Sequence, residues 1–590
     1  MPSIAVLATW TITAAWLLAL GSPAAALTFR RFGWLAAIRT ALWFGLAAAL
    51  LVVLAINFFV PLRSTTAVAV ALVVAGISII AAIVLGALMA RRVLPQRQVA
   101  RGPFPYWSLI VIGALILSVF AIAHAAFGAV VQYDAGLYHV NAIQYASEYR
   151  VIPGLANLHT RFGVTNGQHL LTALMSNSGW GLEALRLQVG FFVFLFSLDL
   201  TLRVLDRRKS TPRVGTVILL LIALGMIPFL LSNPGELVTS PSPDSVALIV
   251  TVVGSAYVAD GLAGRRTEWA SIGMVVLASA AAVRTQLWAF AAIALVVVLV
   301  YFRRGKHGWQ RPRVLTLAAA VVSGGLLVAS QIRDAIQTGW LLFPLDFFPL
   351  PVDWKAYDPA ASRLWIISWA RSPGSSPDDV MGNWSWVGGW ITRSAADWGF
   401  RLTIGLLALA ATLWLFRRWN GPEAPKGAPG PLTALWLLIP ASVGLVLWFL
   451  SAPDPRFSWG LIVVIGAIPA AVALLAVLTS KATPMAAAIA SLMVLPAALV
   501  SLASIDGTVD EGEVGVSFTG VPWTISAAIT PIPSPELGVY VLPTGEELTT
   551  PVANDQCWTA FPLCRPYPND LLAFRGSSVQ DGFASLEWDQ

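Results

Sequence analysis

Apolar residues fill this chain in long runs, which polar and charged positions interrupt at intervals. A helix that crosses a bilayer needs about 20 mostly apolar residues, fewer where it is short or broken. On that measure fourteen spans are predicted, at 5–27, 34–59, 66–90, 106–127, 187–202, 214–231, 245–260, 269–283, 287–302, 314–331, 401–416, 432–450, 457–478 and 483–503. Three other segments, 128–186, 332–400 and 504–590, are too long to be simple connections. The expected organisation is a four-span segment (1–127), a first large loop (128–186), central spans (187–331), a tryptophan-rich loop (332–400), four last spans (401–503) and a tail domain (504–590). The fold class is an all-α polytopic membrane protein carrying a small α/β or irregular C-terminal domain.

Composition excludes a water-soluble alternative. Hydrophobic residues make up 57% of the chain and charged residues 11%, against about 25% charged in soluble domains. The basic residues then set an orientation. Clusters such as Arg91-Arg92, Arg207-Arg208-Lys209, Arg303-Arg304 and Arg417-Arg418 all fall on one side when the N-terminus is placed outside, and that side is cytoplasmic by the positive-inside rule. The short inner loops then hold 23 basic and 4 acidic residues, and the outer segments 14 basic and 25 acidic. The net charge of +7 is therefore an anchoring signal, and a nucleic-acid partner loses its support. Arg30 and Arg31 follow the first apolar run, the wrong polarity for a cleaved signal peptide, so that run is expected to be retained. The expected localisation is the plasma membrane, multi-pass, with both termini extracytoplasmic. The inner loops are too short for a nucleotide-binding domain, so any chemistry falls outside. No protein partner can be named.

The polar residues of the outer segments supply the candidate chemistry. Tyr133-Asp134-Ala135-Gly136-Leu137-Tyr138-His139 opens the first large loop, and Ala135 to Tyr149 reads as a helix lying on the membrane surface. Asp134 either caps that helix or stands as a carboxylate whose basicity interfacial desolvation raises. His139 and His159 are hydrogen-bonded interfacial residues or part of a site; no close metal-ligand spacing accompanies them. Asp244, after Ser242-Pro243, has the same two readings as Asp134. Arg284 either snorkels to headgroups or meets an anion such as a lipid phosphate. Asp454-Pro455-Arg456 either closes a turn or offers Arg456 to phosphate. Eight of the 25 tryptophans lie in 332–400; they form an interfacial belt, or a few of them, Trp384 and Trp386 first, line a carbohydrate cleft. No cofactor motif is present; an acid-rich site of this kind could take a hard divalent cation, Mg or Mn. Cys557 and Cys564 stand outside, where oxidising conditions permit a disulfide.

The motifs Tyr133-Asp134-x-Gly136-Leu137-Tyr138-His139, Val151 to His159, Ser242-Pro243-Asp244, Pro453 to Phe457, and Gln556 to Tyr567 together resemble a family of uncharacterised bacterial multi-pass proteins known as a domain of unknown function. That family implies no activity. The layout also distantly resembles GT-C-type glycosyltransferases, which implies a multi-span enzyme with an acid in its first large outer loop and a polyprenyl-phosphate sugar as donor. Asp134 matches that acid and Asp244 a second outer acid. The chain departs from the pattern in lacking a paired acidic motif at Asp134 and in having three extra spans before the fourth.

The expected function is transfer of a sugar from a polyprenyl-phosphate donor to a cell-envelope acceptor. Asp134 would serve as general base, Arg284 or Arg456 would hold the leaving phosphate, and His139 and Asp244 would orient the acceptor or a cation. A transporter or flippase for an envelope lipid or polysaccharide, a polysaccharide polymerase or ligase, and a non-catalytic scaffold are the alternatives.

Overall fold

A computed structural model describes residues 2–90, 106–206, 214–304, 314–420, 431–477 and 529–586. Among them twelve helices are long and apolar enough to cross a membrane, from Ser3–Phe29 to Pro455–Ala476, with a shorter apolar helix at Thr267–Val283. These thirteen coincide with the first thirteen expected spans. The fourteenth, 483–503, lies outside the described residues, as do the basic runs at 91–101 and 207–213 and the first part of the tail. The first two spans form one continuous run, Pro2–Asn57, which reverses direction at Gly33 (φ 69°). A β-carbon is strained at that φ, so glycine suits the turn.

Burial sorts the helices. Pro243–Gly264 is buried along almost its whole length, packed by the Thr267–Val283, Val214–Ser232, Gln188–Leu205 and Trp459–Val477 helices. At the periphery Leu72, Val73, Ile77, Ile80 and Ile83 of Thr65–Ala90 are exposed, an apolar face suited to contact with lipid.

Within the bundle, Asp199 and Arg203 are paired at 2.6 Å one turn apart, as their i,i+4 spacing predicts. Arg203 also reaches Asp260 at 2.6 Å, and the Tyr257 hydroxyl donates to Asp199 at 2.6 Å. Asp260 also accepts from the backbone N–H of Gly215 at 2.8 Å. Arg39 and Asp206 add a second buried pair at 3.4 Å.

At the opposite ends of these helices the first large loop, the tryptophan-rich loop and the tail gather. The 135–149 stretch is helical, with a π-helical turn at Ala135–His139 running into Val140–Glu148. Its apolar side packs on protein instead of lying on a membrane surface. Tyr145 sits in a cluster with Ile152, Leu155 and Phe162 of its own loop and Leu548, Leu572 and Phe583 of the tail. The alternation of apolar and polar positions is compatible with either surface, so only the partner segment decides.

The described tail consists of two antiparallel hairpins, β1 (Leu537–Val541) with β2 (Glu547–Pro551), and β3 (Leu572–Phe574) with β4 (Phe583–Ser585). Cys557 and Cys564 are joined by the expected disulfide. The tail is held to the body by Arg575 on Asp353 at 2.7 Å and by the Phe583 N–H on the Pro153 carbonyl at 3.1 Å. Closing so small a loop restricts the unfolded chain by about 2–3 kcal/mol. Replacing both cysteines by serine is accordingly expected to lower the melting temperature of the oxidised protein, and to bring it to that of reduced wild type.

Candidate functional site

Four separate segments deliver charged side chains to one place. Asp134 precedes the π-helical turn, and its carboxylate makes no capping hydrogen bond there; it accepts instead from Arg456 at 2.9 Å. Asp244 lies in the first turn of Pro243–Gly264, but Ser242 is the residue that caps that helix, accepting from the Asp244 N–H at 3.2 Å. The Asp244 carboxylate is thereby free to face Arg284, with which it forms an ion pair, and Arg456 at 3.9 Å. Arg284 interrupts the helical run after Val283 in an extended conformation (φ −145°, ψ 116°). It is 9% exposed, so it meets a carboxylate within the protein instead of snorkelling. Asp454 caps the short turn that begins the last described span, accepting from the Arg456 N–H at 3.0 Å, and lies 3.6 Å from the Arg456 guanidinium.

Aromatic faces fix the two guanidinium planes. Arg284 lies 4.4 Å from the ring centroid of Phe457, while Arg456 is 4.8 Å from Trp369 and 5.3 Å from Phe457. Arg284 Nε has no hydrogen-bond partner among the described residues, so the cluster retains donor capacity that an anion could use. Burial pulls the Arg284 guanidinium down to about 10, which leaves it protonated at neutral pH. Burial pushes the Asp454 carboxyl up. Tyr138 is pushed up to about 12, first by burial and then by the charge of Asp134.

Behind Tyr138 stand the histidines. His139 packs edge-on against Tyr138 (4.2 Å between centroids) and lies 5.2 Å from His169. Neither of its ring nitrogens has a hydrogen-bond partner among the described residues. His159 stacks on the other side of Tyr138 at 6.1 Å, and its Nδ1 accepts from the Arg161 N–H at 3.2 Å. Trp384 and Trp386 stack on each other and pack against Phe449. They connect toward Asp454 through Trp390 and Trp448, whose indole N–H donates to the Asp454 carbonyl. Of the eight tryptophans of 332–400, Trp369 is the one whose ring lies against the Arg456 guanidinium, and nothing in the sequence separates it from its seven neighbours. Among the described residues no group of three or more His, Cys, Asp or Glu side chains is placed to hold a metal ion.

Burial lowers the pKa of His169 to about 4 and that of His139 well below its ordinary value. The folded state therefore holds both neutral, whereas the unfolded chain protonates them near pH 6.5. Stability is expected to be fully present above that pH and to fall on acidification from about 6.5 toward 4. The check is melting temperature against pH, with a shallower acid slope in His169→Asn.

These features define a polytopic α-helical membrane protein with a charged, half-buried cluster where its long loops meet. The chain belongs to a family described as a domain of unknown function, DUF8201, whose profile matches residues 4–463. The match starts well before the first of the motifs that suggested such a family and stops short of the Gln556–Tyr567 stretch. No curated protein matches the chain. Among solved structures it is similar to arabinosyltransferase EmbB from Mycobacterium smegmatis, at 13% identity and a TM-score of 0.36, over 76% of this chain and 42% of that one. The chain thus spans less than half the length of that protein, and nothing is transferred from it.

Proposed function

We propose that this protein is a membrane glycosyltransferase of the GT-C type, moving a sugar from a polyprenyl-phosphate donor to a cell-envelope acceptor at the outer face of the plasma membrane. The observation that carries the reading is a carboxylate, Asp134, paired with Arg456 at 2.9 Å, while a second arginine, Arg284, is joined to the same cluster through Asp244; both arginines are remote from Asp134 in sequence. Glycosyl transfer needs both kinds of group together. An acceptor hydroxyl is a weak nucleophile until a base removes its proton, and the departing phosphate gains charge that a guanidinium fork stabilises.

In the reaction the acceptor oxygen bonds to the anomeric carbon as the bond from that carbon to the phosphate oxygen breaks. The electron pair leaves with the lipid phosphate, onto Arg456 and Arg284, and the hydroxyl proton passes to Asp134. Without substrate Asp134 is occupied by Arg456. A donor phosphate competes for that arginine and releases the carboxylate for its task. Asp244 keeps Arg284 in place, and neutral His139 supports Tyr138 at the rim.

The test is release of polyprenyl phosphate from polyprenyl-phosphoryl sugars by the purified full chain in lipid nanodiscs, with envelope glycan as acceptor. Arg456→Ala is expected to lower kcat/KM by about 10- to 100-fold, the loss of one or two charge-assisted hydrogen bonds, and Arg456→Lys to restore little of it. If no donor is consumed and the lipid-linked sugar instead crosses the bilayer of sealed vesicles, the transporter reading replaces this one. The charges buried in the bundle speak against a transport path, since Asp199, Arg203 and Asp260 close on one another.

A further inference from the structure

Next to the cluster, on the side formed by the tail, lies a second constellation that the transfer chemistry does not use. The hydroxyls of Tyr133 and Tyr567 both donate to one oxygen of Asp555, Oδ2. The other oxygen, Oδ1, has no partner among the described residues. Both tyrosines keep more than half of their surface exposed, 54% for Tyr133 and 62% for Tyr567. A carboxylate that is held by two phenols of exposed tyrosines, yet keeps one oxygen open, matches the two demands of a sugar ring. Its C–H face packs on an aromatic plane, and its hydroxyls donate to a fixed acceptor. Burial, and then the hydrogen bond to Asp555, pushes Tyr567 up to about 12, so the phenol stays a donor at any physiological pH.

The constellation is also held in register with Asp134. Tyr133 is the residue before it, and the Gln556 amide donates to the Tyr133 carbonyl at 2.9 Å. The Trp558 N–H donates to the Gly136 carbonyl at 2.9 Å, and the Trp558 indole lies where a β-carbon on Gly136 would be, with its nearest atom 2.4 Å away. Only glycine admits that contact. Trp558 takes a left-handed backbone conformation (φ 45°) to make it, a strained state that persists where the surroundings over-determine it. The disulfide begins at the residue between Gln556 and Trp558 and closes the same loop.

We infer that Tyr133, Tyr567 and Asp555 form a saccharide-binding subsite where the first large loop meets the tail, which holds an acceptor glycan beside Asp134. The role as acceptor site rests on the transferase reading; the binding itself does not. It is measured without donor, by saturation-transfer NMR and fluorescence titration of the full chain in nanodiscs with linear hexasaccharides of glucose, galactose, mannose and arabinose. At least one is expected to bind with saturation transfer from tyrosine rings. Tyr567→Ala and Asp555→Asn are each expected to weaken binding by about tenfold or more, the loss of one stacking or hydrogen-bonding partner, and Tyr567→Phe to weaken it less. Amide hydrogen exchange over 130–141 and 555–565 shows whether each variant retains the docked loop. The inference is overturned if no saccharide of the panel binds at millimolar concentration. It is equally overturned if binding is indifferent to Asp555→Asn in a protein with wild-type exchange, or if an unglycosylated peptide competes the saccharide away. Binding with no transfer from any donor would overturn the transferase reading and leave the subsite standing.

Discussion

Asp134→Asn is expected to abolish sugar transfer, with a fall in kcat of about 10²- to 10⁴-fold, the range a positioned general base supplies. Asparagine keeps the size of the side chain and can still meet Arg456, but its amide cannot take a proton from an acceptor hydroxyl. The substitution should leave the fold nearly unchanged, because Asp134 makes no capping bond to the π-helical turn that follows it. Donor binding is expected to hold or tighten, since Arg456 loses a competing carboxylate now 2.9 Å away. The measurements are single-turnover release of polyprenyl phosphate and, separately, donor affinity. Wild-type turnover in Asp134→Asn would remove the base from the mechanism. A loss of donor binding equal to the loss of turnover would make Asp134 a binding residue only.

Arg203→Leu carries the largest expected effect on stability, about 3–5 kcal/mol, the cost of breaking a buried ion pair from one side. Arg203 lies between Asp199 and Asp260, at 2.6 Å from each, and all three side chains are buried. Its removal leaves two carboxylates together in an apolar bundle, each with one remaining hydrogen bond among the described residues, from Tyr257 and from the Gly215 N–H. A triple variant, Arg203→Leu with Asp199→Asn and Asp260→Asn, removes the charges together and is expected to regain much of the loss. Thermal unfolding in one detergent or nanodisc gives the comparison. A melting temperature unaltered by Arg203→Leu would show that the network contributes nothing to the fold. No recovery in the triple variant would assign the cost to packing.

Part of the site is legible in the sequence. Asp134, Asp244, Arg284 and Arg456 stood out because ionisable groups are costly at the ends of apolar runs and so invite a reason. Their partners were not legible. An aspartate after Ser-Pro reads as a helix cap, and only the Ser242 hydroxyl on the Asp244 N–H shows that the cap is made by its neighbour. The sequence offers Trp384 and Trp386 for a carbohydrate cleft, yet the indole over Arg456 belongs to Trp369, because an indole suits a guanidinium face, a bilayer interface and a protein core equally well. Asp260 was hidden for a related reason: its partner Arg203 is on another helix, and no local spacing records a contact between helices.

What the sequence determined by itself is the membrane architecture: helix number over the described residues, span positions, and the long loops in which chemistry could be housed. The hydrocarbon core imposes one solution on each apolar run, a helix of roughly fixed length, so every run can be read alone. The tertiary structure decided everything that depends on two distant segments at once. It paired Asp134 with Arg456, turned the 135–149 helix onto the tail, and set the disulfide loop against Gly136. Such contacts depend on distance and shape in three dimensions, and a polar residue in a loop satisfies its own local rules whichever partner it eventually meets.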